Sequence, residues 1–154
     1  MGLFDDSQNG LAESHNVGIF DNSGNLLAST TVENGAINPL LNQFRYVTIS
    51  PITLNPGSYS IGALYLDTAD NVVQPTVGTL VTDPAITFVG ASYKNINTVL
   101  LNPSTSLGSG VTGYFGPNFT FTTTVPEPLN IFGATAGLAL FGITSAALKR
   151  KRTK

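Results

Sequence analysis

The sequence predicts an all-β protein, a β-sandwich or jelly-roll-like domain followed by a single C-terminal transmembrane helix. Three observations lead there. Through residues 1–125 apolar and polar side chains alternate at period two between turn residues, and no window of helical length keeps a 3.6-residue period. Charged residues make up only 10% of the chain while glycine numbers 16, a composition suited to short strands joined by polar turns. Residues 129–148 then run for 20 positions without a charge. At about 1.5 Å per residue that stretch crosses the roughly 30 Å hydrocarbon core of a bilayer.

Taken in order, Met1-Gly-Leu-Phe-Asp-Asp opens as though inside a strand and lacks the basic, apolar and cleavage regions of a secretory signal peptide. The expectation is an N-terminally truncated body whose precursor carries a signal peptide and a further strand. His15, Val17 and Ile19 share one face of the next strand, and Asp21-Asn-Ser-Gly-Asn25 reads as a hairpin turn into Leu26 to Val32. A strand is expected over Gln43 to Ser50, closed by Pro51, and a turn at Asn55-Pro-Gly57. Tyr59, Ile61, Ala63 and Tyr65 then alternate with Ser58, Ser60, Gly62 and Leu64. Residues 67–85, with Asp67, Asp70, Asn71, Pro75, Asp83 and Pro84, read as a long loop. Short strands are expected near Ile86 to Val89 and Thr98 to Leu101, and a last one sets Phe119 and Phe121 opposite Thr120 and Thr122. Frequent turns and the lack of crossover helices favour a sandwich over a parallel sheet.

This divides the chain into an extracellular domain over 1–122, a linker over 123–128, a transmembrane helix over 129–148 and a basic cytoplasmic tail over 149–154. Five of the seven basic residues lie in that tail, whereas residues 1–128 hold all nine acidic ones against Arg45 and Lys94. An acidic body offers no basic face for phosphates, so nucleic acid is excluded as a partner. Basic residues abutting a span stay on the cytoplasmic side, which places the body outside. With no cysteine, stability must come from burial, and hydrophobic residues at 42%, nine Phe and five Tyr among them, supply a core.

Val125-Pro126-Glu127-Pro128, an apolar stretch rich in Gly, Ala and Leu, and the terminal cluster Lys149, Arg150, Lys151 and Arg152 stand in that order at the chain end. Together they resemble the PEP-CTERM sorting signal, also called the ice-binding protein C-terminal domain, over about the last 30 residues. The resemblance implies export, retention by the helix, and processing near Pro-Glu-Pro by a membrane-embedded exosortase, with release to the cell surface or matrix. Pro126, Glu127 and Pro128 would then be the recognition element and Lys149 to Arg152 the retention charge. Independently of the resemblance, two prolines at i and i+2 fix φ and remove two donors, leaving a stiff extended segment that a protease can grip. Ser14 to Phe20, Gly24 to Thr30 and Leu54 to Tyr59 also resemble stretches of surface domains found ahead of such signals, which implies a sandwich but no chemistry.

Candidate chemistry in the body is sparse. His15 is the only histidine, its neighbour Ser14 points to the opposite strand face, and its own face carries Val17 and Ile19, so an imidazole at the core rim is expected rather than a catalytic base. One histidine and no cysteine leave no ordinary zinc site. No cofactor is expected, with calcium the one ion to consider: Asp5, Ser7, Asn9 and Gly10 match the first half of an oxygen-rich calcium loop with Glu13 nearby, but Asn16 stands at the twelfth position where a bidentate Glu belongs. A polar turn is the plainer reading. Tyr59 and Tyr65 are expected to pack at the core or its rim. The functional expectation is a non-enzymatic surface or extracellular-matrix protein in a structural or interaction role. The alternative is a module that binds exopolysaccharide, and a hydrolase would require Asp5, Asp6, Glu13, Asp67 or Asp70 to converge.

Overall fold

A computed structural model of the chain describes residues 1–66, 69–72, 81–95, 98–107 and 113–123. The chain divides into two units, Met1–Phe121 and Thr122–Lys154, and of the second only Thr122 and Thr123 are among the described residues. The sorting motif, the apolar stretch, the basic tail and Asp67 lie outside them. Among the described residues every regular element is a strand, so the all-β class holds, and no helix is long and apolar enough to cross a membrane.

The strands are β1 Gly2–Phe4, β2 His15–Asp21, β3 Leu26–Val32, β4 Leu40–Leu41, β5 Phe44–Tyr46, β6 Tyr59–Ala63, β7 Ser92–Tyr93, β8 Thr105–Ser106 and β9 Pro117–Asn118. They form an antiparallel four-stranded sheet in the order β4-β5-β1-β9, a three-stranded sheet β3-β2-β6 and the small ladder β7-β8. Strand β1 is buried along its whole length because it lies inside its sheet, paired with β5 through Leu3 opposite Arg45 and with β9 through Leu3 opposite Pro117. Pro117 cannot donate to a ladder, which suits its place on an edge strand.

The two larger sheets share one core. Met1 and Leu3 meet Val17, Ile19 and Val32, and Leu11 joins them from the connection between β1 and β2. Ala28, Ile61, Ala63, Tyr65 and Phe119 pack around this cluster. Burying such aliphatic side chains stabilises by about 1.5–3 kcal/mol each. On its other face the β2-β6 pair is flat at Gly18 and Gly62. A Cβ at Gly18 would come within 2.8 Å of Leu100 Cδ2, and one at Gly62 within 3.1 Å of Pro103 Cδ, so the 98–103 segment lies directly on the sheet.

The hairpin from β2 to β3 forms where the sequence places it. Asp21 Oδ1 accepts the amides of Ser23 and Asn25, Oδ2 accepts the Asn25 side-chain amide, and Gly24 takes φ +84° to close the turn. The Asn25 side chain first, then the turn amides, hold the Asp21 carboxyl below its ordinary value.

Elsewhere the strand boundaries differ from expectation. In place of one strand over 43–50, β4 and β5 form a tight hairpin about Asn42, whose φ is +49°, and pairing beyond Tyr46 passes to Val47, which exchanges two backbone hydrogen bonds with Met1. No strand forms over 86–89, because Asp83 caps a turn by accepting the amides of Ala85 and Ile86 on its side chain and carbonyl. None forms over 98–101, where Leu100 packs on the sheet at Gly18 instead of pairing. The last strand sits at Pro117–Asn118 rather than 119–122, and Phe119 turns into the core with its ring 5.8 Å from that of Phe121.

Candidate functional site

Polar side chains gather where the β1–β2 connection meets the segment 69–72. Asp5 leaves the end of β1 and Arg45 comes from β5, the neighbouring strand of the same sheet. Asp5 Oδ2 accepts from Arg45 Nε at 2.8 Å and from the Gly10 amide at 2.9 Å. Backbone carbonyls accept from the rest of the guanidinium: Nη2 donates to Gln8 at 3.0 Å, and Nη1 to Asn38 at 3.2 Å and Ala36 at 3.5 Å. Both side chains are buried. The pair therefore stitches the 5–10 turn to the 36–38 segment and to β5. Gly10 is required here, since it takes φ +113° and a Cβ would sit 2.6 Å from the Gly35 carbonyl carbon.

The second cluster centres on His15, which β2 directs into the core. Its side chain is 0% exposed. Nδ1 lies 2.9 Å from the Leu64 carbonyl and Nε2 lies 2.8 Å from Asp70 Oδ2. The Tyr65 ring packs against the imidazole at 4.6 Å. Asp70 also accepts the amides of Ala12 and Glu13, so one carboxylate holds the β1–β2 connection and the histidine together. Burial acts to raise the Asp70 carboxyl, but the His15 hydrogen bond and the two amides outweigh it and hold the group below its ordinary value. Burial first, then the Asp70 charge, push the Tyr65 phenol upward, and its buried hydroxyl has no hydrogen-bond partner.

Between these clusters runs a cleft of about 370 Å³, lined by polar groups of Asp5, Asp6, Ser7, Asn9, Asp70 and Asn71. Of the residues considered for calcium, Asp5, Ser7 and Asn9 share this cleft, while Glu13 lies apart from it, accepting the Leu66 amide at 3.3 Å with Oε1 4.0 Å from His15 Nδ1. Asp5 directs Oδ2 to Arg45 and Gly10, and no group of three His, Cys, Asp or Glu among the described residues is arranged to hold a metal ion. Of the carboxylates considered for hydrolysis, Asp5, Asp6 and Asp70 line the cleft, with Asp5 and Asp70 both engaged by protein donors.

His15 is thus deep in the core rather than at its rim, and its partner comes from a segment read as loop. Tyr65 packs in the core as expected, whereas Tyr59 is 39% exposed and donates its hydroxyl to the Asn55 carbonyl. Sequence reading missed Asp70 and Arg45 as the partners of the buried His15 and Asp5. One signal was available for each: a lone histidine on an apolar face needs hydrogen-bond partners, and a lone arginine on a strand of an acidic body needs a carboxylate. No family model matches the chain, and no curated protein or solved structure matches it.

Proposed function

We infer that the chain is an exported bacterial surface or extracellular-matrix protein, displayed by a processed C-terminal sorting signal, whose β body has a structural or interaction role without catalysis. The observation that carries this reading is the fixed order of Val125-Pro126-Glu127-Pro128, a 20-residue uncharged stretch and the cluster Lys149 to Arg152. The stretch inserts as a transmembrane helix, the cluster resists translocation, and the stiff Pro-Glu-Pro segment is offered to an exosortase at the outer face of the membrane. The all-β body, with two sheets sharing one core, supports a sandwich-like domain on the outside. Asp5 and Asp70 are each committed to internal partners, which supports a structural duty for these carboxylates.

The test is expression in a host with the matching exosortase, followed by mass spectrometry of the extracellular product. The mature protein should lack the C-terminal segment, and Glu127→Ala or replacement of both prolines by Ala should leave the longer form in the membrane. Recovery of Lys149 to Lys154 on the mature protein, unaffected by those changes, overturns the reading in favour of a permanent tail anchor.

One observation favours a second reading, exopolysaccharide binding: the cleft is lined by the polar residues Ser7, Asn9, Asp6 and Asn71, the last two hydrogen-bonded to each other at 3.2 Å, a residue set of the kind that recognises sugar hydroxyls. Glycan-array binding lost in Asn71→Ala and Asp6→Ala supports it, and an array without signal removes it.

A further inference from the structure

We propose that His15 and Asp70 form a proton-held latch, in which a doubly protonated imidazole bridges the Leu64 carbonyl and the Asp70 carboxylate and so fastens the segment around Asp70 to the β1–β2 connection. The acceptors around the ring require both protons. A carbonyl oxygen only accepts, so at 2.9 Å from Leu64 the Nδ1 atom must carry hydrogen. Asp70 Oδ2 receives the amides of Ala12 and Glu13, which only donate, and it is placed as an ionised, accept-only oxygen. At 2.8 Å from it, Nε2 must carry hydrogen as well. A neutral ring has one N–H and would leave one of these contacts without a proton, on a ring that is itself 0% exposed.

The charged groups around the ring agree with this assignment. Asp70 comes from the segment after β6, and Glu13 from the β1–β2 connection places Oε1 4.0 Å from Nδ1. Tyr65, packed on the ring face, contributes a neutral phenol whose ionisation is disfavoured by burial and by Asp70. Among the described residues no cationic side chain is paired with the ring. Two carboxylates and a carbonyl therefore face one imidazole. Without the second ring proton one of the two bridging bonds has no hydrogen, so that proton is what joins Leu64 to Asp70 through the ring.

Nitrogen-15 NMR of the histidine ring in the intact protein tests the assignment, since His15 is the only histidine. Both ring nitrogens should show bound hydrogen in the wild type. In Asp70→Asn the proton should leave Nε2 while Nδ1 keeps its hydrogen toward Leu64, and amide exchange at Ala12 and Glu13 should accelerate. A singly protonated ring in the folded wild type overturns the proposal. So does a doubly protonated ring that persists in Asp70→Asn, because the carboxylate would then not be what holds the proton. Loss of the second ring proton in Asp70→Asn with no change in exchange at Ala12 and Glu13 overturns the latch.

Discussion

Asp5 Oδ2 lies 2.8 Å from Nε of Arg45, and neither side chain is more than 7% exposed. Removing one partner of such a pair leaves the other charge buried without compensation, a loss typically of about 3–5 kcal/mol. Arg45→Ala should therefore cost that much in urea denaturation. Replacing both residues with apolar ones of similar volume should cost distinctly less than either single change. Equal losses in the single and double variants would mean that the hydrogen bonds these side chains make to the backbone of Gly10, Gln8 and Asn38, and not the charge pair, hold the turn.

Asp70 gives the fold an acid limit. Its carboxyl is held low in the folded protein, so the ionised form contributes stability that is complete above the ordinary value of 3.8 and is lost as pH falls through the lower folded value. Thermal melts should show a steeper acid decline for the wild type than for Asp70→Asn, which has no carboxylate to protonate. Parallel declines would assign the acid sensitivity to other groups.

The Tyr65 hydroxyl is buried without a partner. A hydroxyl in that position is already desolvated and unpaired, so Tyr65→Phe should leave stability within about 1 kcal/mol of wild type or raise it. A loss well beyond that, measured by chemical denaturation, would reveal a hydrogen bond made in solution.

Gly10→Ala should destabilise by roughly 1–3 kcal/mol, because the residue adopts a left-handed conformation and its new methyl would meet backbone at Gly35. The comparison is Gly90→Ala, where a Cβ meets nothing within 4 Å. Similar melting temperatures for the two variants would show that the 5–10 turn relaxes freely.

How much of this was legible in the sequence depended on the range of the forces involved. The β2–β3 hairpin was readable because Asp21, Gly24 and Asn25 specify it within five positions. Strand β6 was readable because Asn55-Pro-Gly57 marks its start and period two runs through it. The false strands at 86–89 and 98–101 have apolar residues of the right kind, but a local Asp83 cap takes one, and packing of Leu100 over Gly18 takes the other. Neither competitor leaves a periodic trace. The His15–Asp70 and Asp5–Arg45 pairs span 55 and 40 residues. Their residue types were visible, but their mates were set by the meeting of distant segments.

The order β4-β5-β1-β9 has a mechanical consequence. Strand β1 is held on both sides, but β9, the last described strand of this unit, is joined to it by the pairs Gly2–Asn118 and Leu3–Pro117, with the Phe4 amide bonded to the Gly116 carbonyl just before it. Tension applied through the chain beyond Thr123 loads that two-pair ladder and the Phe119 side chain first. The body would yield by peeling at its C-terminal edge, with Phe119 leaving the core while β1 and its partner β5 stay in register.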